Sequence, residues 1–205
     1  VSADLVVVDY SAGNLRSVET ALQHLEVRYR VSSSPEEVAA AQRLIVPGVG
    51  EARAAMEQLS ATGLDRAIDE FRRAGRPLLG ICLGCQIIFD RSAERSTRCL
   101  GFLAGTVERF TPEPGRKVPH MGWNRVFRRR PHPLFDGIAD GAFFYFVHSY
   151  YPQPAKAEVV IGECEYGPRF AAAVARDNLA ACQFHPEKSA ENGLRLLANF
   201  LGWKP

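Results

Sequence analysis

The sequence predicts an α/β protein: a doubly wound, mostly parallel sheet with helices on both faces and added antiparallel strands in the second half. Three observations predict it. Short continuous apolar runs in the first half alternate with apolar residues at helical spacing. Turn chemistry, rich in Gly, Pro and Ser, separates the two kinds of segment. Beyond residue 100, strand-like segments follow one another across Pro- and Gly-containing turns without intervening helices. With 205 residues, 46% of them apolar, the chain can bury one sizeable core, and residues 1–205 are expected to form a single domain.

Leu5 to Val8 is a continuous β-type run, as expected of a strand buried on both faces. Ser11 to Asn14 is turn chemistry, after which Leu15, Val18, Leu22 and Leu25 recur at helical spacing. A second strand is expected over Val27 to Val31. Ser34-Pro35-Glu36-Glu37 opens a helix with a Ser cap, Pro in first position and Glu in third. Leu44 to Val46 is a third strand, stopped by Pro47-Gly48-Val49-Gly50. Helical segments follow at about 51–60 and 64–74, with Gly75 as a stop. Pro77 to Ile81 is a further apolar strand, and the residues after Cys82 read as a helix. Repeated β-α units of this kind give a parallel sheet covered on both faces. Strands are then expected near 105–110, 123–127, 142–148, 159–164, 171–175 and 180–184. A closing helix over about 191–201 places Leu194, Leu197, Ala198 and Leu201 on one face.

The charge balance, 25 Lys+Arg against 23 Asp+Glu for a net +2, argues against nucleic acid or an anionic membrane as partner. Apolar runs such as Ala142 to Val147 fall far short of the ~20 residues a membrane helix needs. The first twenty positions carry Asp4 and Asp9 without a basic start, so no signal peptide is expected. Five cysteines, an odd and low count, argue against a disulfide scaffold and for a reducing compartment, the cytoplasm by default.

Gly80-Ile81-Cys82-Leu83-Gly84 lies where a strand passes into a helix. A glycine-flanked nucleophile there makes an elbow: the glycines remove side chains that would clash, and the middle side chain stands at the sheet edge. A helix N-terminus behind the thiol favours the thiolate. Cys82 and Cys85 also form a C-x-x-C, the spacing of a redox dithiol or half a zinc site. Cys99, Cys164 and Cys182 are isolated, which leaves zinc short of ligands, and the flanking glycines fit an elbow better than a redox loop. Cys85 then reads as a small apolar residue on the helix, with a resolving thiol for Cys82 as its sharper alternative.

A nucleophilic cysteine needs a base and a group to orient it. Of the five histidines, His24 lies near a helix end and His132 in an Arg/Pro loop, so both are expected in solvent. His185 follows an apolar strand and precedes Pro186, which restricts it to extended backbone. In extended chain, positions 185 and 187 project to the same side, which lets Glu187 support the imidazole. Pro47-Gly48-Val49-Gly50, at the carboxyl end of a parallel strand, can turn backbone amides toward a ligand as an oxyanion hole, although an ordinary Gly-rich turn has the same composition. The Arg125, Arg128, Arg129 and Arg130 cluster reads as a solvated basic loop rather than an anion site.

These residues resemble the class I, triad-type glutamine amidotransferases: PGVG at 47–50, GICLGCQ at 80–86 and FHPEKS at 184–189. VPHMGWN at 118–124, FYFVHSYY at 144–151 and DYSAGNLRS at 9–17 narrow the likeness to the glutaminase subunits of imidazole glycerol phosphate synthase. The resemblance implies that Cys82 attacks the glutamine carboxamide, that His185 shuttles protons and that Glu187 orients it. It implies main-chain oxyanion donors at Val49 and Leu83, with a glycine-rich strand that flips to present the former. Gly48, Gly50, Gln86, Glu94, Ser149 and Tyr150 match positions of the glutamine site. Asn14, Trp123, Asn124 and Lys188 match positions facing the synthase partner.

The same resemblance implies a (βα)8-barrel cyclase subunit as partner in a heterodimer, with ammonia passing through the barrel, and no metal or organic cofactor. The sequence departs from the family at Cys85, usually Met, and at Glu51-Ala52, where an Ala-Phe-like pair is usual. Other class I glutaminases, a thiol hydrolase or redox protein on the same elbow, and a non-catalytic module are the alternatives. The complete triad disfavours the last, and the 118–124 and 184–189 segments favour the synthase glutaminases.

Overall fold

The structure, a computed structural model, describes residues 5–11 and 15–205. Its first half runs β1 (Leu5–Val8), α1 (Leu15–His24), β2 (Tyr29–Ser32), α2 (Pro35–Ala40), β3 (Arg43–Val46), α3 (Ala52–Thr62), α4 (Leu64–Arg73), β4 (Leu78–Ile81) and the single turn α5 (Leu83–Gln86). The second half continues with β5 (Phe89–Ser92), β6 (Thr97–Arg98), β7 (Leu103–Arg109), β8 (His120–Arg128), β9 (Ala142–His148) and β10 (Tyr150–Pro154). It ends with β11 (Val160–Glu165), β12 (Arg169–Arg176), β13 (Leu179–Cys182) and α6 (Ala190–Gly202).

A nine-stranded sheet has the order β2-β1-β3-β4-β13-β12-β11-β8-β9. The strands from β2 to β13 pair in parallel and those from β13 to β9 antiparallel. The expected α/β sheet with antiparallel additions is therefore present. Its strands alternate between two cores, as a sheet buried on both faces requires. Leu5 and Val7 face one core and Val6 and Val8 the other; Ile45 opposes Leu44 and Val46 in the same way. Val18 and Leu22 of α1 and Leu196, Leu197 and Phe200 of α6 close the first core. Val38 of α2, Leu59 of α3 and Ile68 and Phe71 of α4 close the second. At roughly 1.5–3 kcal/mol for each large apolar side chain buried, both layers are needed to hold the central strands. Among the described residues no helix is long and apolar enough to cross a membrane.

Three expectations need correction. The helix after Cys82 is only Leu83–Gln86, because carbonyls that would continue it are taken by another segment: Leu100 N–H donates to Ile87 O, and Phe102 and Leu103 N–H to Ile88 O. The chain instead turns into a separate four-stranded sheet, β10-β7-β5-β6. The basic cluster is exposed at Arg125, Arg128 and Arg129 as expected, but it is not a loop throughout. Arg125 and Arg128 lie on β8, Arg129 pairs with Glu163 at 3.3 Å, and Arg130 donates to the Glu158 and Ala175 carbonyls at 2.9 Å each. His132 is half-buried and caps its own turn, its Nδ1 accepting from Leu134 N–H at 3.2 Å; burial pushes its pKa down to about 4.

Candidate active site

The carboxyl ends of β1, β3, β4 and β13 lie side by side, and each delivers residues to one edge of the sheet. Tyr10 follows β1, Pro47 to Gly50 follow β3, Cys82 follows β4, and Gln183 to His185 follow β13. Open parallel sheets present ligand sites at such an edge.

Cys82 has φ 54° and ψ −105°, an unfavourable conformation for a residue with a Cβ. Strain of this kind costs on the order of 1–3 kcal/mol and is held by its surroundings. Cys82 N–H donates to Cys182 O at 2.8 Å, which fixes the elbow to the neighbouring strand. A Cβ on Gly84 would sit 1.9 Å from Val46 O, and one on Gly80 2.6 Å from Gly84 O. Both glycines are therefore demanded by close backbone approach, as the elbow pattern predicts.

His185 is extended, at φ −98° and ψ 94°, as Pro186 requires. Residues Pro186–Lys188 form a 3-10 turn rather than continuing extended, and this turn brings Glu187 round to the ring. Nδ1 lies 2.7 Å from Glu187 Oε1, with both side chains 2% exposed. A carboxylate can only accept, so Nδ1 carries the proton. Nε2 is left buried with no hydrogen-bond partner. Burial works to lower the pKa of His185, but Glu187 and the Cys82 sulfur once it is a thiolate stabilise the imidazolium and raise it, so that Nε2 can take up the cysteine proton. Ser189, the last residue of the FHPEKS segment and given no role of its own by the sequence, anchors the turn. Its Oγ donates to His185 O at 2.6 Å and accepts from Tyr145 N–H at 2.9 Å.

A cavity of about 400 Å³ opens over the thiol and is lined in part by Val49, Gly50, Leu83, Gln86, Glu94, Ser149 and Tyr150. Pro119, Val147 and His148 also line it and were not singled out from the sequence. Gly48 lies outside this lining, packed against Tyr10: a Cβ there would sit 2.1 Å from Tyr10 Oη. The Tyr10 hydroxyl is buried without a partner, and burial together with Cys82 pushes its pKa up, so it stays protonated. Leu83 N–H donates to Gly48 O at 3.2 Å. One of the two expected oxyanion donors is thus engaged by backbone. Glu94 accepts from Ala52 N–H at 2.7 Å, completing the start of α3, where Glu51 makes no side-chain cap and pairs instead with Arg95 at 2.6 Å.

A line of hydrogen bonds runs through the interior to the thiol. Asn124 Nδ2 donates to Glu165 O at 3.0 Å and faces His120 Nε2 at 3.3 Å. His120 Nδ1 lies 3.0 Å from His148 Nε2, and His148 Nδ1 2.7 Å from Tyr150 O. Gln86 Nε2 donates to Tyr150 O at 3.0 Å and to Gln183 Oε1 at 2.9 Å. Gln183 Nε2 ends the line 3.8 Å from Cys82 Sγ. Burial holds both histidines neutral, lowering His120 to about 4 and His148 to about 3.

Of the partner-facing candidates, Trp123, Asn124 and Lys188 do not line the cavity. Trp123 is 52% exposed on β8, beside Met121 on the same strand and Phe143 on β9, which are also exposed. Lys188 is exposed in the turn after His185, His24 is exposed at the end of α1, and Asn14 lies outside the described residues. Cys85 is fully buried in the core opposite the one that holds Cys82, which favours packing over a resolving thiol.

Residues 6–202 match the family model "Glutamine amidotransferase class-I". The chain is 48% identical to "Imidazole glycerol phosphate synthase subunit HisH" of Thiobacillus denitrificans, over 100% of this chain and 93% of that one. It is 50% identical to the protein of the same name in Nitratidesulfovibrio vulgaris, over 96% and 94%. Among solved structures, a glutamine amidotransferase superposes with TM-score 0.73 at 23% identity, covering 96% of this chain and 97% of the other. PurLQS from Thermotoga maritima superposes with TM-score 0.71 at 16% identity, covering 98% and 99%. These structural likenesses bear on the fold.

Proposed function

Because the chain belongs to the class-I glutamine amidotransferases, we propose that it hydrolyses glutamine and passes the ammonia to a (βα)8-barrel cyclase subunit, the two forming imidazole glycerol phosphate synthase of histidine biosynthesis. The observation that carries this reading is the buried His185–Glu187 pair, 2.7 Å long, with Nε2 free beside the strained Cys82. The cysteine proton passes to Nε2, and the thiolate adds to the side-chain carbonyl carbon of glutamine. His185 returns the proton to the departing nitrogen, ammonia leaves and a thioester remains. Water, deprotonated by His185, then releases glutamate.

The tetrahedral intermediate needs donors for its oxyanion. Gly48 O and Val49 N–H belong to one peptide plane, and Gly48 O now holds Leu83 N–H. Turning that plane over would free Leu83 N–H and bring Val49 N–H to the cavity in one motion. Gly50, Gln86, Glu94, Ser149 and Tyr150 would surround the glutamine, with Gly48 supplying the hinge. Trp123, Asn124, Lys188 and Asn14 would face the cyclase, and the apolar side chains exposed beside Trp123 suit such a surface. Five free, buried cysteines fit a cytoplasmic setting.

The test is Cys82→Ala in the reconstituted complex. Synthesis from glutamine should vanish while synthesis from added ammonium persists, since the thiol only generates ammonia. Loss of both activities would make Cys82 structural and defeat the reading.

A further inference from the structure

We propose that Gln183 is a further catalytic residue, whose carboxamide N–H binds the Cys82 sulfur and stabilises it as the thiolate that attacks glutamine. Gln183 is completely buried, and its Nε2 lies 3.8 Å from Sγ. Oxygen and nitrogen of a carboxamide are easily exchanged in assignment, but here the surroundings fix them. Tyr150 O is a backbone carbonyl and can only accept, so the Gln86 atom 3.0 Å from it is its NH2 group. The second proton of that group points to Gln183, 2.9 Å away, which must present its oxygen. The Gln183 NH2 group is thereby left facing the sulfur.

A thiol accepts hydrogen bonds weakly and a thiolate strongly. The bond from Gln183 therefore strengthens as the proton moves from Sγ to His185 Nε2, and it favours the reacting state over the resting one. Of the titratable groups whose charge is felt with Cys82, His185 becomes the cation, Glu187 is held against it, and Tyr10, Cys85 and Cys182 are uncharged donors or thiols whose own ionisation burial opposes. Gln183 adds an uncharged donor on another side. Because Gln86 both lines the cavity and holds the Gln183 oxygen, the group that aims this donor also borders the substrate.

This inference rests on the reading of Cys82 as nucleophile, and the experiment separates the two. Iodoacetamide labelling of Cys82 is followed against pH in the complex with the cyclase, for wild type, Gln183→Met and Cys82→Ala. Methionine is close in size and has no N–H. Gln183→Met should label about tenfold more slowly at neutral pH, with its profile displaced to higher pH. The kcat for glutaminase should fall alongside, with KM for glutamine changed less than kcat. A wild-type labelling profile in Gln183→Met overturns the role of Gln183; undiminished labelling of Cys82→Ala would instead overturn the nucleophile. Should Gln183→Met fail to fold, the unmutated protein decides. The Gln183 carboxamide protons, followed by nitrogen-15 NMR, should move with the titration of Cys82 and be still in Cys82→Ala. A carboxamide that does not sense the thiol overturns the proposal.

Discussion

The Leu83 amide and the Gly48 carbonyl oxygen are joined at 3.2 Å, directly beside the nucleophile that Leu83 follows in sequence. In this arrangement an oxyanion at the thiol would lack that donor. Removal of one oxyanion-hole donor costs roughly 10²–10³ in rate. The isolated chain should therefore release glutamate slowly, and addition of the cyclase with its ligand should raise kcat by at least about 100-fold. Full activity in the isolated chain would contradict the inactive character of this contact.

Gly48 and Tyr10 are predicted to be energetically coupled. A Cβ at Gly48 meets Tyr10 Oη at 2.1 Å, but Leu83 Cβ and Tyr10 Cζ only at 3.1 and 3.3 Å. Gly48→Ala should destabilise the fold by about 1–3 kcal/mol through overpacking. Adding Tyr10→Phe removes the closest clash and should restore a large part of that loss. Denaturant midpoints of the two single variants and the double variant measure it; simple additivity refutes the coupling.

Acid should weaken the fold through the buried histidine pair. In the unfolded chain each histidine takes up a proton near pH 6.5, whereas in the fold His120 does so only near 4 and His148 near 3. Between these values the unfolded state binds more protons, so the stabilisation is complete above about pH 6.5 and is lost as pH falls toward 4 and then 3. From pH 7 to 5 the expected loss is about 2 kcal/mol for each histidine. His148→Asn should flatten this slope in denaturant titrations at the two pH values. An unchanged slope would place the acid sensitivity elsewhere.

Trp123→Ala should weaken binding of the cyclase by at least about tenfold, because a large exposed aromatic among apolar neighbours has the character of an interface anchor. Calorimetric titration of the two subunits would measure it, and glutaminase activity at saturating cyclase serves as the control for folding. Wild-type affinity would move the docking face away from β8.

The parts of the site that were legible in the sequence are those written in consecutive residues. The elbow at 80–84 and the His-Pro-Glu segment at 185–187 each carry their own backbone constraint, and the strand alternation follows from short apolar runs. Gln183 and Gln86 stand 97 positions apart, and nothing local marks either as the partner of the other. His120 and His148 are 28 apart on paired strands, so their contact depends on the register of β8 and β9. Of the small sheet, β7 answers to the strand expected near 105–110, whereas β5 and β10 contradict local rules. β5 carries exposed Asp90 and Arg91, and β10 contains Pro152 and Pro154, which are tolerated because β10 is an edge strand.

The line from Asn124 to Cys82 has a direction, and it reverses at Tyr150. His148 and Gln86 both donate to the same carbonyl oxygen, which has no proton to hand on. A Grotthuss relay needs every bond to point the same way, each group giving a proton as it receives one. This chain converges on a sink instead. Strain, displacement or a change of partner at Asn124 can be felt mechanically at the sulfur, but a proton taken up there cannot arrive. The thiol is thus insulated from the far end of the line, and its proton is left to His185 and the open cavity.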